Sequence, residues 1–379
     1  MDFGFSPEQE MLRQSARRFL SEQCPTTFVR RMMADPTGLD PALWARLVEL
    51  GWTGLLIPEA HGGSGGSFLD LTVVLEEAGY ALMPGPFFSA VLLGAPAIAA
   101  AGTAAQQAQL LPACAAGQSI VTWAIAEAPT ALYQPSAIQM AARAGAGGWV
   151  LSGQKLMVWD AQVARMLVVA ARTRAGQGDE GISLFLVPPQ AKGITLTPQP
   201  GVDSTRKLCA ITFDEVAVNE AALLGPRDAG WPILRSALEL ATAGLCAELV
   251  GVAQRALDLS VAYAKTRVQF GHPIGAFQAI KHKCVDMLMM VENARSLTYY
   301  ACWALAERRS DGAAAVAMAK AYTSDMAKQV TSEAIQVHGG IGFTFQHDIH
   351  LFHRRALAGE ANFGNVPLHR EAVAKALSL

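Results

Sequence analysis

The sequence carries no excess of charge of either sign. Thirty Lys and Arg stand against 32 Asp and Glu, a formal balance of −2 over 379 residues. No global field is available to hold a nucleic acid or an anionic membrane surface, so any anionic ligand must be gripped by local groups. Cysteine is sparse: Cys24, Cys114, Cys209, Cys246, Cys284 and Cys302 are far apart and form no CxxC pair. That spacing excludes a disulfide framework or a zinc ribbon and predicts reduced, mostly buried thiols. A basic segment followed by an apolar one is missing near Met1, and the most apolar stretch, Phe87 to Gly102, is short for a membrane span and contains Pro96. The expectation is a soluble, cytoplasmic protein without a membrane span and without nucleic acid.

What is present is apolar residue in quantity. Hydrophobic residues make up 51% and charged ones only 16%, enough to bury a large core and too much for a disordered chain. Three regions follow from the change of period along the chain. Residues 1–118 read as a helical domain, its apolar positions recurring at helical spacing between prolines. Residues 119–228 read as a β-domain of short runs, among them Ile120 to Ile125, Trp149 to Leu151, Leu156 to Trp159 and Ile182 to Val187. With no helices between them, these runs predict an antiparallel barrel or sandwich rather than a parallel dinucleotide-binding sheet. Residues 229–379 return to long helices, over about 231–267, 277–309 and 313–338 and then a shorter pair, which predicts a bundle. The fold class is α+β.

Two segments break the bundle pattern with groups suited to an anionic ligand. In Arg267 to Gln278, a guanidinium able to make paired bonds to phosphate precedes Gln269, the rings Phe270 and Phe277, and a turn built from Gly271, Pro273 and Gly275. In Gln336-Val337-His338-Gly339-Gly340-Ile341-Gly342-Phe343, glycines interrupt a helix and offer backbone N–H groups. Either segment alone reads as an ordinary helix stop. The run Gly62-Gly63-Ser64-Gly65-Gly66 lacks a following Lys-Ser/Thr and reads as a flexible connection. The Met287 to Met290 run reads as core filler. His347, His350 and His353 cannot all share one helical face, so no metal site is expected.

Together the two segments resemble those of the acyl-CoA dehydrogenase family of flavoproteins. Further matches are Pro58-Glu59, Gly153-x-Lys155, Phe213-Asp214-x-Val216, Val250-Gly251-x-Ala253-Gln254-Arg255 and Arg354-Arg355-Ala356. The resemblance spans nearly the whole chain. It implies a helical domain, a β-domain and a four-helix bundle, bound FAD, and a homo- or hetero-tetramer. The implied activity is introduction of an α,β double bond into an acyl-CoA thioester, in fatty-acid or sterol side-chain oxidation, with electrons passed to an acceptor. Carried over by position, Arg267, Gln269, Phe270, Phe277 and Gln278 correspond to contacts with the FAD diphosphate and adenosine of a neighbouring subunit. Gln336, Val337, Gly339 and Gly340 correspond to a second diphosphate contact.

The chain also departs from the family pattern. Ala126-Glu127-Ala128-Pro129 stands where the family carries Thr-Glu-Pro with a later Gly-Ser-Asp, so two flavin-facing hydroxyls are absent. Trp159 replaces a threonine of the Trp-Ile-Thr strand. Phe363 and Ala241 occupy the two positions where the family keeps its catalytic glutamate, and Thr242 takes the place of a substrate-contacting arginine. Glu239 and Glu360 are the nearest remaining carboxylates. The alternative implied by these losses is a non-catalytic subunit that lends FAD contacts to an active partner chain.

Overall fold

The computed structural model describes residues 5–127 and 133–379. Ala128 and Pro129, the end of the altered motif, lie outside the described residues. In chain order the helices are α1 (Pro7–Gln23), α2 (Thr26–Ala34), α3 (Pro41–Glu49), α4 (Phe68–Tyr80), α5 (Ala95–Ala101), α6 (Ala104–Ala115), α7 (Gly230–Thr266), α8 (Gln278–Ala306), α9 (Gly312–His338), α10 (Ile349–Ala361) and α11 (Val366–Ala376). Between α6 and α7 run strands β1 (Val121–Ala124), β2 (Ala141–Gly145), β3 (Gly148–Trp159), β4 (Met166–Arg172), β5 (Ile182–Val187), β6 (Ile194–Gln199), β7 (Leu208–Asn219) and β8 (Leu223–Leu224). Helical domains thus flank a β-domain in sequence, as the periodicity predicts.

The chain forms two compact units. The first comprises residues 1–30, 68–83 and 242–379. Its first helix starts at a reciprocal cap: Ser6 Oγ accepts from the Gln9 N–H at 3.2 Å, Gln9 Oε1 accepts from the Ser6 N–H at 3.1 Å, and Pro7 pre-sets the first turn. Helices α4 and α7 cross at backbone contact. A Cβ on Gly79 would lie 2.0 Å from the Glu248 carbonyl oxygen, and one on Gly251 1.8 Å from that of Glu76. The charges buried at this crossing are all paired, as burial requires. Glu76 accepts from Arg295 and from the Tyr299 hydroxyl, Glu77 accepts from Arg17, and Glu248 pairs with Arg355. On α9, Lys320 is fully buried and caps the end of α10, donating to the carbonyls of Gly359 at 2.9 Å and Glu360 at 3.0 Å.

The α8 stripe packs as its spacing predicts, with Met287, Val291, Ala294, Thr298 and Ala301 buried. The reading of the methionine run as core holds for Met287 alone. Leu288 and Met289 are 46% and 60% exposed, because two neighbours of an inward residue turn outward on a helix.

The second unit comprises residues 31–67 and 84–241. Its sheet has the order β6-β7-β3-β2-β4-β5-β8, with β1 added to β4. Pairing is antiparallel except at β1–β4 and at the single Ala141–Arg172 pair of β2 and β4, which run parallel, so the sheet is mixed rather than purely antiparallel. The two expected runs Trp149 to Leu151 and Leu156 to Trp159 are one strand, β3. Register shifts near Gly153 (φ +148°) and Met157 (φ +54°) break its alternation. Its inner face packs Trp149, Leu151 and Val158 against Phe185, Ile211 and Phe213.

The Gly62 to Gly66 run is a packed strap, not a flexible connection. The N–H groups of Ser64, Gly65 and Gly66 bond the carbonyls of Gly54, Ile57 and Leu55, and a Cβ on Gly63 would lie 2.0 Å from the Ile57 oxygen. Helix α7 is long and apolar enough to cross a membrane by length and composition. However, 83% of its apolar window is buried inside the protein, the mark of a core helix.

Candidate functional site

Helix α7 ends at Thr266 and the chain turns back at once. Val268–Gln269 pairs antiparallel with His272–Pro273, leaving Phe270-Gly271 as a two-residue turn. Both turn residues have positive φ, +52° and +80°, the type I′ geometry that matches strand twist. Glycine adopts it freely, whereas Phe270 is strained by about 1–2 kcal/mol. At the tip of this turn its ring is 90% exposed and edge-on to Phe277, with centroids 6.2 Å apart.

The second segment begins where α9 stops. Gly339 has φ +62° and ψ −143°, a region open to glycine alone, and its N–H closes the helix on the carbonyls of Gln336 and Ile335. A Cβ built on Gly339 or Gly340 would meet nothing within 4 Å. These glycines therefore border open space rather than a packed neighbour.

The two segments, some 70 positions apart in sequence, line one cleft of about 610 Å³. Arg267, Gln269, Phe270, Phe277, Val337, Gly339 and Gly340 all contribute to it. Gln278 and Gln336 are exposed beside it and are not part of its lining. The Arg267 guanidinium has no carboxylate or hydrogen-bond partner among the described residues. Sequence reasoning passed over Tyr263 and His338, which form the wall. Their rings stack with centroids 4.6 Å apart and planes at 28°, and His338 Nδ1 lies 2.7 Å from the Ala334 carbonyl. Burial lowers the His338 pKa below that of a free imidazole. A larger cleft, about 780 Å³, is lined by Arg13, Arg17, Arg295, Glu76, Glu77 and Asp258, whose opposite charges balance one another.

Models of the N-terminal, middle and C-terminal domains of acyl-CoA dehydrogenase match residues 6–118, 122–216 and 228–378. The chain belongs to the acyl-CoA dehydrogenase family. Acyl-CoA dehydrogenase IpdE2 of Mycolicibacterium smegmatis is 32% identical over 360 residues, 93% of each chain. Butyryl-CoA dehydrogenase from Megasphaera elsdenii superposes with a TM-score of 0.91 at 28% identity, covering 100% of both chains. PigA with FAD and proline superposes with a TM-score of 0.92 at 25% identity, again over 100% of both. As a member of this family the chain is an FAD-dependent oxidoreductase that oxidises an acyl-CoA thioester.

The cleft fits the phosphate end of that cofactor by its own chemistry. It offers an unpaired guanidinium, glycine backbone with room above it, and exposed aromatic faces. In the β-domain the family-like residues are structural. Glu127 accepts the N–H groups of Gln139 and Met140 at 2.8 and 2.9 Å and pairs with Lys155 at 2.6 Å. Trp159, in place of the family threonine, is buried against Phe88 at 5.2 Å, with the Arg206 guanidinium 4.5 Å from its ring.

The two family positions for the base are apolar and closed. Phe363 is buried with φ +57°, and its carbonyl is held by His369 Nε2 at 2.9 Å. Ala241 and Thr242 are buried within α7. The two remaining carboxylates differ in character. Glu360 lies 3.9 Å from Lys328 Nζ, and no other partner of its side chain occurs among the described residues. Glu239 is half-buried without a hydrogen bond or ion pair among the described residues, and burial raises its pKa. No three His, Cys, Asp or Glu side chains among the described residues converge on a metal position.

Proposed function

We propose that this chain is itself a catalytic acyl-CoA dehydrogenase, with the cleft at Arg267 as the seat of an FAD diphosphate and Glu239 as proton acceptor. The convergence of the Arg267 hairpin and the Gly339 turn on one cleft carries this reading. Arg267 supplies the guanidinium, the Gly339-Gly340 backbone approaches the phosphates, and Phe270 and Phe277 offer faces for the adenine. Bound FAD supplies the oxidant, accepting the hydrogen that leaves the substrate β-carbon with its electron pair. The protein must take the α-hydrogen as a proton, which requires a carboxylate with raised proton affinity. Glu239 has that property, because burial raises its pKa.

Replacement of Glu239 by Gln tests the assignment. Thioester oxidation is expected to fall by roughly 10²- to 10⁴-fold with flavin content retained. An unchanged rate removes Glu239 from the mechanism. A second reading, in which another chain supplies the base, is favoured by the burial of apolar Phe363 and Ala241. An isolated chain that binds FAD yet oxidises no thioester until a partner is added would select it.

The same reading includes a tetramer, homo- or hetero-, in which the cleft receives the FAD of a neighbouring subunit, and a separate electron-transfer protein as acceptor. It also includes a cytoplasmic setting, supported by six cysteines that form no disulfide, five of them buried.

A further inference from the structure

We propose that His338 is a proton-linked element of the cleft: an anionic diphosphate bound at Arg267 and the Gly339 turn draws a proton onto its imidazole. The inference rests on the reading of this cleft as a diphosphate site and adds a coupling that the reading does not contain.

The tautomer follows from the hydrogen bonds. The Ala334 carbonyl can only accept, so His338 Nδ1, 2.7 Å away, carries the hydrogen. Nε2 is left as the basic nitrogen, and it has no partner among the described residues. The adjacent ring, His347, has its centroid 4.4 Å from that of His338 but is committed the other way. Its Nδ1 accepts from the Ile349 N–H at 3.2 Å, so adding a proton there would break that bond. Of the two imidazoles, His338 is the one that can gain charge without losing a contact.

The charges facing His338 set the direction. From α7 come Tyr263, stacked on the ring, and Arg267, also in the cleft wall. From the segment after the glycine turn come His347 and Asp348, and the Asp348 carboxylate is already neutralised by Arg30 Nε at 2.8 Å. On α9 itself the nearest acid, Glu333, is paired with Lys283. No free carboxylate among the described residues compensates a charged His338, so burial favours the neutral ring. A diphosphate diester brings about two negative charges, of which Arg267 offsets one. The remaining charge is the compensation that His338 lacks, and a proton on Nε2 balances the cleft.

The test is calorimetric titration of the full chain with FAD, whose diphosphate does not itself titrate between about pH 6 and 8. Runs in buffers of different ionisation enthalpy give the protons exchanged on binding. The wild type is expected to take up a proton fraction as FAD binds near pH 7, with affinity rising by up to about tenfold per unit as pH falls. His338→Gln should bind FAD with no uptake and with an affinity flat in pH, while His347→Gln should keep the uptake. Should His338→Gln fail to fold, the His347→Gln result decides. Uptake that persists in His338→Gln, disappears in His347→Gln or is absent from a wild type that binds FAD overturns the inference. A wild type that binds no FAD at any pH overturns the cleft reading, and the coupling with it.

Discussion

Lys155 Nζ and Glu127 Oε1 meet 2.6 Å apart, with the lysine completely buried and its ammonium also held by the Ile125 carbonyl at 3.1 Å. This pair fastens the segment that follows β1 to the middle of β3, the strand that ends at Trp159. Lys155→Met would leave Glu127 without its counter-charge. The expected loss of stability is about 3 kcal/mol, read by urea denaturation, because breaking one half of a buried pair strands the other.

Lys320 gives a pH dependence of defined sign. Burial depresses its pKa from 10.5 to about 8, so between these values the unfolded chain binds more protons than the folded one. Its contribution therefore rises with pH across that window and is constant below it. The change is on the order of 3 kcal/mol. Chemical denaturation of wild type and Lys320→Met at about pH 7.5 and 9.5 should show a smaller rise in the variant, which keeps only the part due to Lys155, whose pKa burial also depresses to about 8.

Arg267→Ala is expected to weaken FAD retention by about 1.5–3 kcal/mol, the range for a charge-assisted hydrogen bond. Because the guanidinium has no internal partner, thermal stability of the FAD-free chain should be unchanged. Flavin titration and a melting curve measure the two effects separately.

Gly339 and Gly340 should respond differently. A side chain at Gly340 enters open space, so Gly340→Val is expected to preserve folding and reduce flavin content. Gly339→Ala must also hold φ +62°, ψ −143°, at a further cost of about 1–3 kcal/mol in stability. Equal flavin content in Gly340→Val and wild type would mean that the turn only caps α9.

Much of this architecture is legible in the sequence, for identifiable reasons. The three long helices of the C-terminal region were placed to within a few residues, since each shows a long 3.6-residue period. Strand β2 escaped notice because Ala141-Ala142-Arg143-Ala144-Gly145 has neither alternation nor β-branched residues. Arg267 and the Gly339 turn were found because guanidinium and consecutive glycines are local signals. Tyr263 and His338 were not, because a ring stack between residues 75 positions apart leaves no local trace. The glycine run at Gly62 to Gly66 misled for the same reason: its stiffness comes from the carbonyls of Gly54, Leu55 and Ile57.

The first compact unit is assembled from both ends of the chain, with α1 and α4 packed among helical residues that follow Thr242. During synthesis these two helices emerge long before their partners, and residues 84–241 of the second unit are made in the interval. At roughly 5–20 residues per second, α4 waits on the order of 10 s for the helices that cover it. Ten of its residues end up buried, so the nascent chain displays an apolar helix for that interval. Truncation after residue 241 would make the exposure permanent, and such a fragment is expected to aggregate or be held by chaperones although its β-domain is complete.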